Sequence, residues 1–254
     1  MIFPAWSLSI HHYYTHRKRK YSILKKYSLS FTDAESALME PMLEANDLSR
    51  KYGAFEALKR TSLSLFAGDL VALTGPNGAG KSTLLLCLSG LLSPSTGEIR
   101  VEGHDLYEEE QAARRRLAYV PDVPVFYQEL TAWEHLYFMA LAHEVMDDGF
   151  ETRAERLLRD FGLWESRDMY PHAYSRGMRL KLGLALALIR PFKVLLLDEP
   201  SSALDEQSTA LLADRLARLR DEGAAVLLST HDPQLTVNIQ AKIWSMSEGT
   251  LATR

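Results

Sequence analysis

The stretch Gly75-Pro76-Asn77-Gly78-Ala79-Gly80-Lys81-Ser82 constrains this chain more than any other. It lies directly after the apolar run Leu70–Thr74 and directly before the apolar run Leu84–Leu92. A strand feeding a glycine-rich turn that opens a helix is the context such a pattern needs in order to hold phosphate. Glycines let the backbone wrap with its N–H groups inward, and the following helix adds positive potential at its N-terminus. Lys81 would place a point charge toward the β- and γ-phosphates of a nucleoside triphosphate, and the Ser82 hydroxyl suits Mg²⁺.

The remainder of the chain supplies the strands and helices such a loop requires. Leu43–Leu48 and Thr61–Phe66 alternate as strands do, and Glu98–Val101 reads as a further hairpin strand. Residues 106–117 are charged and predicted helical, followed by a strand at Leu117–Val120. Thr131-Ala132-Trp133-Glu134 is a capping-box pattern opening an amphipathic helix toward Val145, and a second helix is predicted over Thr152–Phe161. Strand Val194–Leu197, a helix near Glu206–Asp221 and strand Ala225–Ser229 then resume the alternation, which argues for a parallel sheet with right-handed crossovers. Residues from about 123 to 180 show helices without intervening strands and read as a helical subdomain inserted into the α/β core. A turn at Glu248-Gly249 interrupts the last stretch, Ile243–Leu251.

Composition narrows the class of protein. Residues 11–27 carry six Lys/Arg and no acid, without a sustained helical or strand period. The basic cluster follows the short apolar stretch instead of preceding it, so the segment fails as a secretory signal. Residues 1–41 are expected to be a disordered basic extension, or the product of an upstream start with Met39 or Met42 as the true one; a basic tail touching anionic lipid is the alternative. No apolar run approaches the roughly 18–20 residues of a membrane span, so work at a membrane would need another chain to supply the spans. The net charge of −4 offers no bulk attraction to nucleic acid. The single cysteine, Cys87, rules out an internal disulfide framework and reads as a small core residue.

Val194-Leu195-Leu196-Leu197-Asp198-Glu199 is an apolar strand ending in two carboxylates. By itself such a pair is usually a solvated strand end. Beside a phosphate loop, Asp198 suits the Mg²⁺ shell through water, and Glu199 suits polarisation of an attacking water.

With these residues in order, the chain resembles the ABC ATPase family over about residues 42–250. Tyr174-Ser175-Arg176-Gly177-Met178 stands where the family's signature loop, most often L-S-G-G-Q, is expected; Ser175 and Gly177 match it, while Tyr174, Arg176 and Met178 depart from it. Ser202-Ala203-Leu204-Asp205 resembles the D-loop, in which Asp205 would bridge two subunits. His231 in Ser229-Thr230-His231-Asp232 resembles the switch histidine, and Tyr52 the aromatic that stacks on adenine. Asp122 in Tyr119-Val120-Pro121-Asp122 occupies a position where the family usually has glutamine; it could accept from Mg²⁺-bound water. An acid here, together with the Y-S-[RK]-G-M signature, resembles the ATPase subunits of ABC-2 type exporters. Trp133, His135, Tyr137 and Phe138 read as helix packing, with some of them bordering a groove for a partner's coupling helix.

The resemblance implies a P-loop NTPase of the ABC cassette type over residues 42–254: a parallel-sheet core, an antiparallel β-subdomain and an inserted helical subdomain. It implies ATP held by Tyr52, Gly75, Pro76, Asn77, Gly78, Ala79, Gly80, Lys81, Ser82 and Thr83, with Ser175 and Gly177 contributed across a subunit interface that also contains Arg176, Met178 and Asp205. Glu199, His231 and Lys81 would be catalytic, and Ser82, Asp198 and Asp122 would serve Mg²⁺. The implied partners are a separately encoded transmembrane permease and a second ATP-binding subunit, in a homo- or heterodimer at the cytoplasmic face of the membrane, with no nucleic acid. A soluble ATPase acting on ribosomes or DNA, and a nucleotide-binding module without turnover, are the competing readings.

Overall fold

The computed structural model describes residues 40–253, so the basic extension expected over residues 1–41 lies almost wholly outside the described residues. Strands β1 (Leu43–Tyr52) and β2 (Phe55–Leu65) form a hairpin, and β4 (Thr96–Val101) and β5 (His104–Asp105) extend it into an antiparallel sheet of order β2-β1-β4-β5. β2 begins six residues before the expected Thr61, since its outer part carries Glu56, Lys59 and Arg60 around the buried pair Ala57 and Leu58. Those charges hide the strand period.

The second sheet has the order β10-β9-β3-β8-β7-β6. Its members β3 (Leu70–Thr74), β6 (Leu117–Val120), β7 (Val194–Asp198), β8 (Ala225–Ser229) and β9 (Lys242–Ser247) run parallel. β10 (Thr250–Thr253) returns antiparallel on β9 through the turn at Glu248-Gly249. The helices are α1 (Lys81–Leu88), α2 (Glu110–Arg116), α3 (Ala132–Ala142), α4 (Phe150–Asp160), α5 (Arg176–Leu188), α6 (Glu206–Asp221) and α7 (Pro233–Asn238).

Both faces of the parallel sheet are covered, and the strands read accordingly as unbroken apolar runs. Val194 and Leu196 of β7 pack with Val71, Leu73 and Leu227 on the side of α1 and the antiparallel sheet. Leu195 and Leu197 pack with Val226 and Leu228 on the other side, against α3, α4, α5 and α6. Complete burial of one such leucine contributes about 1.5–3 kcal/mol. Cys87 is fully buried in the first of these layers.

Between β6 and β7 the chain makes helices only. The capping box at Thr131 is formed: Glu134 N–H donates to Thr131 Oγ1 (3.2 Å), and Thr131 N–H donates to Glu134 Oε2 (2.7 Å). The helix it opens ends at Ala142, short of the expected Val145. The helix expected over 106–117 starts only at Glu110, because Asp105 Oδ1 accepts from the amides of Tyr107 (2.9 Å) and Glu108 (3.0 Å) and holds a turn there. Among the described residues no helix is long and apolar enough to cross a membrane.

Candidate nucleotide-binding site

The loop joining β3 to α1 is shaped by glycines under direct steric demand. Gly75, Gly78 and Gly80 have φ of 146°, 79° and 104°, a region that side-chain-bearing residues avoid. A Cβ on Gly80 would lie 2.5 Å from the Ala57 carbonyl oxygen, and one on Gly75 would overlap the Met246 carbonyl oxygen. No side chain caps α1, so its first turn keeps free amides facing the loop. The loop walls a cavity of about 340 Å³ that Tyr52, Phe55, Glu199 and His231 also line.

Lys81 is 7% exposed and has carbonyls for partners instead of a carboxylate. Its Nζ donates to Gly75 O (2.8 Å) and Pro76 O (3.2 Å) and stands 3.1 Å from His231 Nε2. The same Nε2 is 3.2 Å from Glu199 Oε1, and the His231 amide donates to Glu199 Oε2 at 3.2 Å. One ring nitrogen can accept from the lysine or donate to the carboxylate, not both, so the imidazole is shared between two competing partners. A buried cation with only dipolar partners attracts an anion.

Glu199 adopts φ +48°, at a cost of roughly 1–2 kcal/mol for a residue with a side chain. Its N–H donates to Ser229 O (3.2 Å) and Ser229 Oγ (2.9 Å), which hold that conformation. Ser229 Oγ in turn donates to Asp198 Oδ1 at 2.6 Å. Ser229 therefore orients both acids, a role the sequence reading missed; the sign of it is the register, which sets Ser229 beside Asp198 on adjacent parallel strands.

A hydroxyl at Ser82 and a carboxylate at Asp198 suit Mg²⁺, which keeps several waters and takes few protein ligands beside substrate phosphates. Among the described residues no three His, Cys, Asp or Glu side chains converge, so a metal here would draw the rest of its ligands from nucleotide and water.

Tyr52 and Phe55 face each other across the β1–β2 hairpin and are 47% and 64% exposed. The Arg50 guanidinium lies 4.7 Å over the Tyr52 ring, covering one of its faces. Phe55 was not among the expected site residues. Its place directly after the turn at Gly53, opposite Tyr52, was the available signal.

The remaining expected residues stand outside this cavity. Ser175 Oγ accepts from the Met178 amide (3.2 Å) and caps α5. A Cβ on Gly177 would lie 2.5 Å from the Ala203 carbonyl oxygen, so the start of α5 is pressed onto the loop that follows β7. Asp205 Oδ1 accepts from the Ser208 amide (2.7 Å) and caps α6, while its Oδ2 is 3.4 Å from Lys181 Nζ. Hydrogen bonds from Ser208, then Lys181, hold the Asp205 carboxyl at about 2. Asp122, like Asp198, does not line the cavity, and its Oδ1 accepts from Arg176 Nη2 (2.8 Å) and Ser202 Oγ (2.7 Å). The nearby guanidinium engages the carboxylate that was expected at the metal.

A second concavity, about 370 Å³, opens beside β6, with Tyr119, Pro121, Pro124, Met139 and Leu186 in its walls and Val125 at its rim, 92% exposed. His143 lines it too, its imidazole pushed down to about 4 by burial and then by Arg190 and Arg115. Of the aromatics on α3, Trp133 packs on Phe150 and Trp164, and Tyr137 and Phe138 are exposed. His135 is buried and satisfied: Nε2 accepts from the Tyr127 amide and Nδ1 lies 2.7 Å from Thr131 O.

Residues 58–202 match the family described as ABC transporter. Over 190 residues the chain is 34% identical to the ABC-type transporter ATP-binding protein EcsA of Bacillus subtilis (strain 168), covering 75% of this chain and 77% of that protein. It is 30% identical over 210 residues to the SkfA peptide export ATP-binding protein SkfE of the same organism, covering 83% of this chain and 87% of that one. Against two other Bacillus subtilis relatives it spans 62% of their length. A bacterial ABC transporter cassette solved as a dimer superimposes with a TM-score of 0.75 at 25% identity, over 84% of this chain and 98% of that chain.

Proposed function

The chain belongs to the ABC transporter family of ATP-binding proteins, and from that premise we propose that it hydrolyses ATP to drive a separate membrane-spanning exporter partner, through closure of two ATP-binding subunits. The observation that carries the enzymatic part is the convergence of Lys81, His231 and Glu199 at the mouth of the glycine loop. In this reading Glu199 takes up the proton of a water attacking the γ-phosphate, and His231, 3.2 Å from it, holds that water against it. Mg²⁺ held by Ser82 and Asp198 would supply charge neutralisation on the transferring phosphoryl group. Tyr52 and Phe55 offer π faces to the adenine, and the loop amides and Lys81 bind the phosphates.

The segment Ser175–Met178 lies outside the cavity, which fits its use against nucleotide bound by a second subunit. The similarity to a cassette solved as a dimer supports that arrangement. Export is favoured by the acid at Asp122, the Y-S-R-G-M signature and the similarity to a protein named for peptide export. The apolar groove beside β6 is the seat for a helix of the partner, since it is concave, exposed and lined by rigid prolines.

The test is turnover and ATP binding for wild type and Glu199→Gln. Hydrolysis should fall by roughly two to three orders of magnitude, the scale of a lost general base, with ATP affinity kept. A wild-type rate as low as the variant's would end the enzymatic reading. Purification from detergent-solubilised membranes should bring down a chain with several apolar spans; its absence would end the transporter reading.

A further inference from the structure

A cavity of about 500 Å³ opens at the end of the parallel sheet away from the glycine loop. Lys193 and Gly223, in its wall, precede β7 and β8, whereas the glycine loop and Glu199 follow the far ends of β3 and β7. A five-residue strand spans about 16 Å, so the two cavities are separated by the length of the strands.

The wall is cationic. Arg156 of α4, Arg190 beyond α5, Lys193, and Arg215 and Arg218 of α6 line it, against a single carboxylate, Glu222. Arginines nearby on the same helices are paired: Arg153 with Asp147, Arg159 with Glu155 and Arg220 with Asp221. Of the five cations in the wall, Arg215 is paired with Asp160; among the described residues Arg156, Lys193 and Arg218 carry no such ion pair. Arg190 donates only to carbonyls, those of Leu117 (2.6 Å), Arg115 (3.3 Å) and Pro191 (3.4 Å). That is the pattern of Lys81 in the glycine loop. Burial pushes the Arg190 guanidinium down to about 10, so it is still charged at neutral pH. Cations gathered around a concave wall repel one another and concentrate positive potential within it.

Cations near helix C-termini have an ordinary use, because they complement the helix dipole within its last turn. That use accounts for Arg190, just past α5, and for Arg218 in the last turn of α6. It does not account for Arg156 in the second half of α4, a turn before its end, or for Lys193 on the loop before β7.

We propose that this cavity binds an anion carrying two or more phosphate groups, at a site separate from that for ATP. With Arg215 engaged by Asp160, four cations stand against one carboxylate, an excess that matches a di- or triphosphate better than a singly charged anion. Three of the four are arginines, whose planar forks take phosphate oxygens in pairs. The phosphates could be those of a free small molecule or of a lipid headgroup, and the chemistry recognised is the same. The site requires neither ATP turnover nor a membrane-spanning partner, so it stands or falls apart from the proposed function.

The probe is inorganic tripolyphosphate, titrated by calorimetry into the full chain at about 0.15 M salt, where exposed charges more than about 8 Å apart are screened. Two sites per chain are expected, one at the glycine loop and one in this cavity. Arg156→Gln with Arg218→Gln should weaken the second at least tenfold and leave the first, and ATP affinity, unchanged. Lys81→Ala should do the reverse. Both arginines are exposed, so the paired variant should keep the wild-type thermal midpoint in phosphate-free buffer. If it fails to fold, Lys193→Gln replaces it under the same criteria. Arg60→Gln with Arg100→Gln removes equal charge from the antiparallel sheet and should affect neither site.

A single site in the wild type, abolished by Lys81→Ala, would overturn the proposal. So would a second site that survives Arg156→Gln with Arg218→Gln, or one weakened equally by Arg60→Gln with Arg100→Gln, which would reduce it to bulk charge. Flotation with vesicles of phosphatidylcholine containing phosphatidylinositol phosphates separates the two sources. Flotation lost in the Arg156 and Arg218 variant assigns a lipid headgroup; no flotation, or flotation that persists in that variant, assigns the calorimetric site to a free phosphate ligand.

Discussion

The loop Gly75–Ser82 and the segment Ser175–Met178 each open a helix, and they are built by opposite means. The first is a hollow. Its glycines are pressed against the carbonyls of Ala57 and Met246, its helix has no side-chain cap, and a cavity lies in front of it. The second is closed on itself: Ser175 caps its own helix, Arg176 is bonded to Asp122 and Ser202, and Gly177 lies on Ala203. The first therefore has donors to spare within a single chain, while the second gains a ligand only when another surface supplies one. Under the proposed function, the two halves should respond differently to equal insults.

The largest contrast expected is in nucleotide affinity. Gly80→Ala must find room for a Cβ now 2.5 Å from a backbone oxygen at φ 104°. Affinity for ATP, measured by titration calorimetry on the isolated chain, should weaken about thirtyfold, as a left-handed penalty of roughly 2 kcal/mol requires. Gly177→Ala meets an equally close backbone oxygen, yet ATP binding by the isolated chain should be unchanged. Turnover should instead fall about tenfold, the scale of a small misplacement of a positioning group. Loss of binding in the second variant would break the division between the halves.

A smaller effect separates the aromatics. Tyr52→Ala and Phe55→Ala should each weaken ATP binding about two- to tenfold, within the range of a single stacking contact. A larger loss for Phe55 would assign the adenine to the ring that has no arginine over it.

The smallest effect concerns pH. The folded-state carboxyl of Asp205 sits at about 2, below its ordinary 3.8. The carboxylate cap thus contributes fully above the ordinary value, and that contribution is lost as pH falls toward 2. Thermal midpoints should drop less steeply from pH 5 to pH 3 in Asp205→Asn than in wild type. Equal slopes would show that the cap on α6 does not depend on the charge.

Much of the first half was legible, because it is local. A strand, a glycine pattern and a helix in uninterrupted order are enough to expect the loop, and β3, β6, β8 and α6 have the expected limits since charges or turns bound their apolar runs. Helix α7 was missed: it has six residues, too few to show a period. What surrounds Asp122 was not legible either. Its partners lie 54 and 80 positions away, and nothing in the order of residues says that a carboxylate suited to a metal will meet a guanidinium first. Phe55 and Ser229 were overlooked for the same reason, their roles being set by cross-strand register.

The double-sided burial of β7 bears on which insertions this chain could survive. Val194 and Leu196 belong to one layer, Leu195 and Leu197 to the other, and Asp198 follows in the same alternation. Adding or deleting one residue upstream in this strand would turn Asp198 toward the opposite layer and exchange every leucine with it. Two residues would preserve the face but slide both acids about 6.6 Å along the strand, out of reach of Ser229. Length variation in relatives should therefore gather in the turns at either end of the strand, and the stretch from Val194 to Glu199 should behave as a fixed-length spacer between the packed layers and the phosphate.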